Sequence, residues 1–206
     1  MSEDPVLAEA LRTIAAPGLL VGHRLISPGD EGALLPPEAA SITSKVPATR
    51  RASGAARIVA RRLLAELGEG TPAIPKGASG APTWPAGIAG SFAHDDRTAI
   101  AAIGRVRDVG SIGIDVEPAL PLPADMFALI VSPRERAGLA GDMLRARLLF
   151  AAKEAVYKAV HPLDGQFLEY SDIEIDIAAG TALVKNARPV RLKFCTSTRL
   201  VALALA

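Results

Sequence analysis

Residues 111–118 read Ser-Ile-Gly-Ile-Asp-Val-Glu-Pro and show the alternation of apolar and polar positions that predicts a β-strand. Because strand side chains alternate between two faces, Asp115 and Glu117 share one face with Gly113, and the apolar residues occupy the other. The two acidic α-carbons then lie about 7 Å apart, and a divalent cation would relieve the repulsion between their carboxylates. Taken alone, the pattern also describes the polar side of an edge strand. Gly113 favours a close approach of another segment at this point.

Residues 150–158 read Phe-Ala-Ala-Lys-Glu-Ala-Val-Tyr-Lys and predict a helix in which Glu154 and Lys158 lie one turn apart. In isolation these two residues form an ordinary surface ion pair, worth about 0.2 to 0.5 kcal/mol. A third carboxylate beside Asp115 and Glu117 would instead complete an oxygen-rich set, which Mg²⁺ prefers together with substrate phosphate oxygens. Lysines next to that carboxylate suit a phosphate-bearing ligand.

Helices are signalled clearly at two places outside these segments. Pro47 begins a run of helix formers that ends at Gly68 and Gly70, which predicts a helix over 47–67. Ser132, Pro133 and Glu135 form a capping box, which predicts a helix start. A further helix is expected over about 142–160, ending before Pro162 because a proline disfavours helical geometry in the preceding residue.

The remaining regions are predicted as strands and loops. The first 40 residues are interpreted as strand and loop, and the stretch 71–90, rich in proline and glycine, as a structured loop. Strands are expected over 98–103 and 111–116, paired as a hairpin, and again over 172–177, 189–195 and 200–205. The pattern indicates an α+β architecture of two lobes, divided as residues 1–110 and 111–206.

Composition excludes several classes of protein. The 206 residues are 50% hydrophobic and 22% charged, which permits a buried core. The net charge of +1 and the 4% aromatic content argue against nucleic-acid and membrane-surface partners. The single cysteine, Cys195, fits a reducing compartment, and neither a signal peptide nor a membrane span is recognisable. A cytoplasmic protein is therefore expected, and two lobes in one chain favour a monomer.

The two motifs together resemble those of the 4'-phosphopantetheinyl transferases, in particular the Sfp-type branch that includes the enterobactin-synthase component D (EntD) proteins. In that family a Gly-Ile-Asp-Val/Ile-Glu strand is followed by a Trp/Phe-x-x-Lys-Glu-x-x-x-Lys helix, and both are complete here. The resemblance covers roughly residues 50–160 and includes upstream positions in the family's order, namely Arg50, Arg57, Pro82-Thr83-Trp84-Pro85 and Gly90-Ser91-Phe92-Ala93-His94. One departure is Ala93, where the family commonly has Ser or Thr before the histidine.

The resemblance implies a fold of two pseudo-symmetric lobes, each with helices on a small, mainly antiparallel sheet. It also implies Mg²⁺-dependent transfer of the 4'-phosphopantetheine arm of coenzyme A to a serine of an acyl or peptidyl carrier protein, with release of adenosine 3',5'-bisphosphate. The first lobe would bind the 3'-phosphate and adenosine end of coenzyme A, and the second would hold the magnesium and the catalytic motifs. Carrier proteins of siderophore or other nonribosomal peptide synthesis are among the possible acceptors.

The family's functional residues map onto three sets in this chain. The magnesium ligands implied are Asp115, Glu117 and Glu154. The catalytic residues implied are Glu154, as the base for the serine proton, and Lys158, which neutralises charge on the pyrophosphate. The residues implied to bind coenzyme A are Arg50, Arg57, His94, Lys153 and Lys158. Lys76, in the proline- and glycine-rich loop before Trp84, is also expected to reach a phosphate of coenzyme A.

Two other functions remain open from the residues alone. An Asp-x-Glu strand with a nearby Glu and Lys is also typical of Mg²⁺-dependent nucleases and phosphodiesterases. A non-catalytic module that binds coenzyme A or a carrier protein is the second alternative.

Overall fold

The computed structural model describes residues 3–185 and 188–206 and divides the chain into two compact units. The first unit ends at Val109 and the second begins at Gly110. Each unit consists of helices packed on an antiparallel sheet, which confirms the predicted α+β class.

The helices and strands alternate irregularly along the chain. The helices are α1 (Pro5–Ile14), α2 (Pro36–Ser41), α3 (Pro47–Glu66), α4 (Val106–Val109), α5 (Ala124–Ile130), α6 (Pro133–Leu139) and α7 (Met143–Asp164). The strands are β1 (Leu19–Leu25), β2 (Ile88–His94), β3 (Thr98–Arg105), β4 (Ile112–Pro118), β5 (Ile173–Asp176), β6 (Thr181–Val184), β7 (Pro189–Thr196) and β8 (Arg199–Leu205). Two 3₁₀ turns cover Asp30–Ala33 and Tyr170–Asp172.

The first unit is built on a three-stranded sheet in the order β1-β3-β2. Helix α3 packs on this sheet through an apolar stripe that includes Val59, Leu63 and Leu64, all of them buried. Gly54 brings α3 against the Asp30–Ala33 turn, because a Cβ at this position would lie 1.9 Å from the Asp30 carbonyl oxygen. The predicted helix over 47–67 is confirmed to within one residue.

The second unit is built on a five-stranded sheet in the order β4-β8-β7-β6-β5, with α7 packed on β4 and β8. Gly113 on β4 is paired with Ala204 on β8, so small residues face the helix there. Ala155 and Ala159 are the facing helix residues, and a Cβ on Gly113 would lie 1.8 Å from the Ala155 carbonyl oxygen. The close approach predicted at Gly113 is therefore confirmed, and it brings the polar residues of α7 to Asp115.

The predicted hairpin between residues 98–103 and 111–116 is wrong. Both strands form, but β3 pairs with β1 and β2, whereas β4 pairs with β8 and is an edge strand of the other sheet. Helix α4 occupies the connection that the prediction took for a turn. The three predicted strands after residue 170 do form one antiparallel sheet, to which the structure adds β6.

Two helix predictions also need correction. Helix α7 continues through Pro162 to Asp164, where Gly165 in the left-handed conformation ends it with an N–H bond to the His161 carbonyl. A proline in the last turn forfeits only the bond to the carbonyl four residues earlier, which the final turn tolerates. The first 40 residues contain helices as well as strand and loop, because Asp4 caps α1 and a proline begins α2.

Candidate active site

An ion pair joins the strand motif to the helix motif. The Lys158 ammonium donates to Asp115 Oδ1 at 2.6 Å and to the Ile114 carbonyl at 3.3 Å. Asp115 is only 7% exposed, and its second oxygen, Oδ2, accepts no hydrogen bond. Burial raises the pKa of Asp115; Lys158 opposes this rise, and the nearby Glu154 carboxylate adds to it. A buried carboxylate oxygen without a donor is the feature expected of a ligand to a cation.

Glu117 is held from the same helix by a residue that the motifs do not include. Arg147 donates from Nη1 to Glu117 Oε2 at 2.8 Å and from Nη2 to the Pro121 carbonyl at 2.9 Å. Arg147 lies seven residues, or about two helical turns, before Glu154. This spacing predicts that both side chains lie on the same face of α7. Both acidic residues of β4 therefore contact α7, as their shared strand face predicts.

Glu154 accepts a hydrogen bond from a tyrosine outside both motifs. The Tyr170 hydroxyl donates to Glu154 Oε1 at 2.8 Å, and the Tyr170 ring packs against Phe150 with the ring centres 5.9 Å apart. Burial, the bond to Glu154 and the negative charges of Asp115 and Glu117 all raise the pKa of Tyr170, which keeps its hydroxyl protonated. The phenol group therefore contacts one of the three predicted ligands, Glu154, and is subject to the negative charge of the other two. No local pattern pointed to Tyr170, because its position depends on how the chain returns after α7.

Lys153 lies in the core of the second unit. Its ammonium is 0% exposed, bonds Glu135 Oε2 at 2.8 Å and donates to the Tyr170 carbonyl at 2.9 Å. Charged groups are buried this fully only when they are paired. These contacts hold Lys153 inside the fold, whereas Lys158, five residues later, is partly exposed.

The donors fit a hard divalent cation by their chemistry. Asp115, Glu117 and Glu154 would supply only oxygen ligands, and Asp115 Oδ2 accepts no hydrogen bond. Within residues 3–185 and 188–206, no group of three His, Cys, Asp or Glu side chains has the arrangement of a formed metal site. Lys158 and Arg147 instead neutralise Asp115 and Glu117 in the structure as it stands.

A cavity of about 560 Å³, the larger of two described here, adjoins Glu154 in the second unit. Its apolar lining includes Leu129 and Phe167, and Phe167 is 82% exposed. The edge of the cavity carries Glu154, Tyr157 and Tyr170. Sequence analysis did not identify this cavity, since residues of three separate segments form it.

The predicted coenzyme-binding residues of the first unit are only partly brought together. Arg57 and Lys76 line a cavity of about 220 Å³ with Phe92 at one side. Arg57 is buried beneath it, donates to the Ile74 carbonyl at 2.8 Å and places its guanidinium 5.1 Å from the Phe92 ring centre. Burial lowers the pKa of Arg57, and the Glu38 carboxylate opposes that shift.

Arg50 and His94 lie outside the lining of this cavity. Arg50 donates to the Ile42 carbonyl at 3.1 Å, which fixes the segment that leads into the cavity wall. His94 is exposed at the end of β2, with Nδ1 3.3 Å from the Asp95 carbonyl oxygen. Ala93, beside it, is buried and offers no hydroxyl.

Comparison with known proteins agrees with these two sets of residues. The family model of the 4'-phosphopantetheinyl transferase N-terminal domain matches residues 37–104, and that of the 4'-phosphopantetheinyl transferase superfamily matches residues 111–204. The chain belongs to the 4'-phosphopantetheinyl transferase family. The predicted family and the predicted kind of enzyme are therefore confirmed, and the match extends beyond the range 50–160 on which the resemblance rested.

Individual relatives support the same assignment. The 4'-phosphopantetheinyl transferase Svp of Streptomyces mobaraensis is 40% identical over 164 residues, which cover 75% of this chain and 67% of Svp. The 4'-phosphopantetheinyl transferase Npt of Nocardia iowensis is 41% identical over 152 residues, covering 71% of this chain and 68% of Npt. Enterobactin synthase component D of Escherichia coli (strain K12) is 35% identical over 127 residues, covering 58% of this chain and 59% of the relative.

Across the described residues, no helix combines the length and the apolar composition needed to cross a membrane.

Proposed function

We propose that this protein transfers the 4'-phosphopantetheine group of coenzyme A to a serine hydroxyl of an acyl or peptidyl carrier protein, with Mg²⁺ as cofactor. The observation that carries the proposal is the buried oxygen Oδ2 of Asp115, which accepts no hydrogen bond. The negative charge of Glu154 is close enough to contribute to the raised pKa of Asp115. Membership of the transferase family supports the reaction. The cavity of the first unit that Arg57 and Lys76 line, called the basic cavity below, supports a phosphate-rich substrate.

The reaction breaks the phosphoanhydride bond of coenzyme A and forms a phosphate ester bond to the serine. The serine oxygen attacks the phosphorus next to the pantetheine arm, and the bond from that phosphorus to the bridging pyrophosphate oxygen breaks. Adenosine 3',5'-bisphosphate leaves with the bridging oxygen, and the serine proton passes to a base on the enzyme. Such reactions depend mainly on positioning and on charge stabilisation.

Residues of the second unit have the chemistry for these tasks. Asp115, Glu117 and Glu154 would hold Mg²⁺, which when bound supplies positive charge at the pyrophosphate. Glu154 takes the serine proton, directly or through water, because it is the partly exposed carboxylate at the edge of the larger cavity. The Lys158 ammonium neutralises charge that develops on the leaving phosphate. We assign no phosphate contact to Lys153, whose ammonium is committed to Glu135 and Tyr170.

Residues of the first unit bind the other end of coenzyme A. Lys76 is exposed at the rim of this cavity, where its ammonium would pair with a 3'-phosphate, whereas Arg57 contributes a fixed positive charge at the cavity floor. Arg50 and His94 would contact coenzyme A only where it extends beyond the residues that line this cavity.

The test is an intact-mass measurement on a carrier protein. We expect the apo carrier protein, incubated with coenzyme A, Mg²⁺ and this enzyme, to gain the mass of one phosphopantetheine group and to gain none without Mg²⁺. Asp115→Asn should lower the rate by at least about 100-fold, since even residues that only support a metal ligand contribute 10- to 100-fold. Asp176→Asn, which makes the same charge change at an exposed site of β5, should react like the wild type. An unmodified carrier protein, or full activity in Asp115→Asn, would refute the proposal.

A further inference from the structure

A chain of contacts leads from the core of the second unit to the Glu154 carboxylate. The buried Glu135 carboxylate binds the Lys153 ammonium at 2.8 Å. Lys153 donates to the main-chain carbonyl of Tyr170 at 2.9 Å, and the Tyr170 hydroxyl donates to Glu154 Oε1 at 2.8 Å. Adjacent residues of α7, Lys153 and Glu154, thus hold the two ends of one tyrosine.

The core end of this chain is rigid. Glu135 accepts the Ile175 N–H with Oε1 and the Ser132 N–H with Oε2, each within 3 Å, so its carboxylate has one orientation. The Lys153 ammonium is fully buried and cannot exchange its partners for water. The Tyr170 backbone is therefore anchored to the core, although it belongs to a short 3₁₀ turn.

The Glu154 end needs such an anchor. A glutamate on a helix has three side-chain torsions, and fixing them costs up to about 2 kcal/mol of conformational entropy. Tyrosine has only two torsions, and the Tyr170 ring is further restrained by its contact with Phe150. Hydrogen bonds to charged groups are stronger than those between neutral groups, so the phenol can select one Glu154 rotamer.

We propose that Tyr170 is a positioning residue for the transferase reaction, which fixes the Glu154 carboxylate through its hydroxyl and is itself fixed by Lys153. The inference rests on the proposed function, in which Glu154 binds the divalent cation and accepts the serine proton. Lys153 then acts on the site through Tyr170 rather than through a phosphate. The two adjacent residues therefore have different roles: Lys153 lies in the core and anchors Tyr170, and Glu154 lies at the proposed substrate site.

The experiment compares Tyr170→Phe with the wild type in two measurements. The substitution removes only the hydroxyl and keeps the ring that packs on Phe150. The first measurement is the affinity for Mn²⁺ in the presence of coenzyme A, followed by electron paramagnetic resonance. The second is steady-state transfer to a carrier protein with Mg²⁺. We expect Tyr170→Phe to weaken Mn²⁺ binding about fivefold and to lower kcat about tenfold, with KM for coenzyme A unchanged within about twofold.

Two controls separate positioning from a general loosening of the fold. Lys185→Met removes an exposed ion pair to Asp172 in the same 3₁₀ turn and should leave Mn²⁺ affinity and kcat at wild-type values. In a Glu154→Gln background, Tyr170→Phe should cause no further loss of Mn²⁺ affinity, because the hydroxyl acts only through Glu154.

Wild-type Mn²⁺ affinity and kcat in Tyr170→Phe would overturn the inference, as would an equal loss in Lys185→Met or an undiminished effect in Glu154→Gln. A wild-type protein that leaves the carrier protein unmodified, but whose Mn²⁺ affinity still depends on Tyr170 through Glu154, would refute the proposed function and support the positioning role.

Discussion

Each unit buries one glutamate at the third residue of a short helix, and the two glutamates have different cationic partners. In the first unit, Glu38 of α2 is fully buried and accepts the N–H groups of Leu35 and Ile74. Arg61 on the long helix α3 donates from Nη1 to both carboxylate oxygens, at 2.7 and 2.8 Å. Arg57, a turn earlier, lies 3.8 Å away.

In the second unit, Glu135 of α6 accepts the N–H groups of Ser132 and Ile175 and pairs with Lys153 on the long helix α7. Glu135 therefore has one cation where Glu38 has two. A guanidinium offers several donors in a fixed plane, whereas an ammonium is a point charge. The comparison shows that a carboxylate beside basic residues is not by itself a functional site. Both glutamates stabilise the fold, and each orders a segment that carries proposed functional residues.

The segments they order differ in purpose. Glu38 fixes Ile74, and Ser41 at the end of α2 accepts the Lys76 N–H, so α2 sets the path of the loop that carries Lys76. Glu135 fixes Lys153 and, through it, Tyr170. The first anchor serves the proposed phosphate-binding cavity and the second serves the proposed metal site.

The largest effect is expected from removing the Glu38 charge. Glu38→Gln leaves Arg61 and the buried Arg57 without a carboxylate, and breaking a buried ion pair from one side costs about 3 to 5 kcal/mol. Urea denaturation should show the free energy of unfolding reduced by that amount. A loss below about 1 kcal/mol would show that Glu38 is not the anchor of the first unit.

Glu135→Gln should lower the free energy of unfolding somewhat less than Glu38→Gln does. Unlike the loss in Glu38→Gln, this loss should be reversed by one further substitution. Adding Lys153→Met removes the unpaired ammonium, while the glutamine oxygen still accepts the Ile175 N–H. The double variant should recover most of the unfolding free energy but keep a low kcat, because Tyr170 has lost its anchor. Full recovery of kcat would contradict the role given to Lys153.

The next effect concerns the two glycines at close approaches. Gly113→Ala and Gly54→Ala each place a Cβ within 2 Å of a backbone carbonyl oxygen, and each should cost about 3 kcal/mol of unfolding free energy. Only Gly113→Ala separates β4 from α7, so only this variant should also weaken Mn²⁺ binding. Gly138→Ala is the matched control, since nothing lies within 4 Å of its added Cβ. Equal Mn²⁺ affinities in Gly113→Ala and Gly54→Ala would refute the link between helix packing and the metal site.

A smaller effect is expected in the basic cavity. Lys76→Met should raise KM for coenzyme A about tenfold, equivalent to about 1.4 kcal/mol, and should leave KM for 3'-dephospho-coenzyme A unchanged. Lys45→Met, at another exposed lysine of the first unit, should change neither value. If Lys76→Met raised both KM values equally, Lys76 would not recognise the 3'-phosphate.

How far the sequence predicts the fold depends on whether a signal is local. Pro47 and the Ser132 capping box mark helix starts through contacts within one turn, and both starts are observed. The pairing of β3 and β4 was predicted wrongly because strand partners are chosen by the whole sheet. β3 pairs with the strand just before it, β2, and with the more distant β1, whereas β4 pairs with β8 at the end of the chain, and no residue in the segment between β3 and β4 encodes that choice.

The same distinction applies to the candidate site. Strand and helix periodicity placed Asp115 and Glu117 on a strand face that contacts α7, as their ion pairs with Lys158 and Arg147 show; that the three carboxylates bind one cation stays a prediction. Periodicity could not show that Lys153 faces the core, since it lies next to Glu154 and has the same charge as Lys158. Tyr170 could not be found because its contact with Glu154 depends on the turn after α7 and on a buried lysine.

The smallest expected effect is a pH dependence of stability that is present in the first unit and not in the second. His23 in the first unit is 2% exposed, and its Nε2 accepts the N–H of Asp4 at 2.9 Å, which requires a neutral ring. Burial lowers the pKa of His23 from its ordinary value of 6.5, and it outweighs the opposing charges of Glu3 and Asp4. The unfolded chain then binds a proton that the folded chain does not, so the contribution of His23 to stability is present above about pH 6.5 and is lost as the pH falls below it.

His23→Gln keeps an acceptor for Asp4 but cannot titrate. Between pH 7.5 and 5.5 the wild type should therefore lose more unfolding free energy than His23→Gln, by no more than about 1.4 kcal/mol for each pH unit below 6.5. Urea denaturation of both proteins at the two pH values measures the difference. Hydrogen exchange should place the loss in α1, which Asp4 caps, and leave the amides of α7 protected, because His23 has no counterpart buried in the described part of the second unit. Identical pH dependence in the two proteins would show that the ring is already charged in the fold.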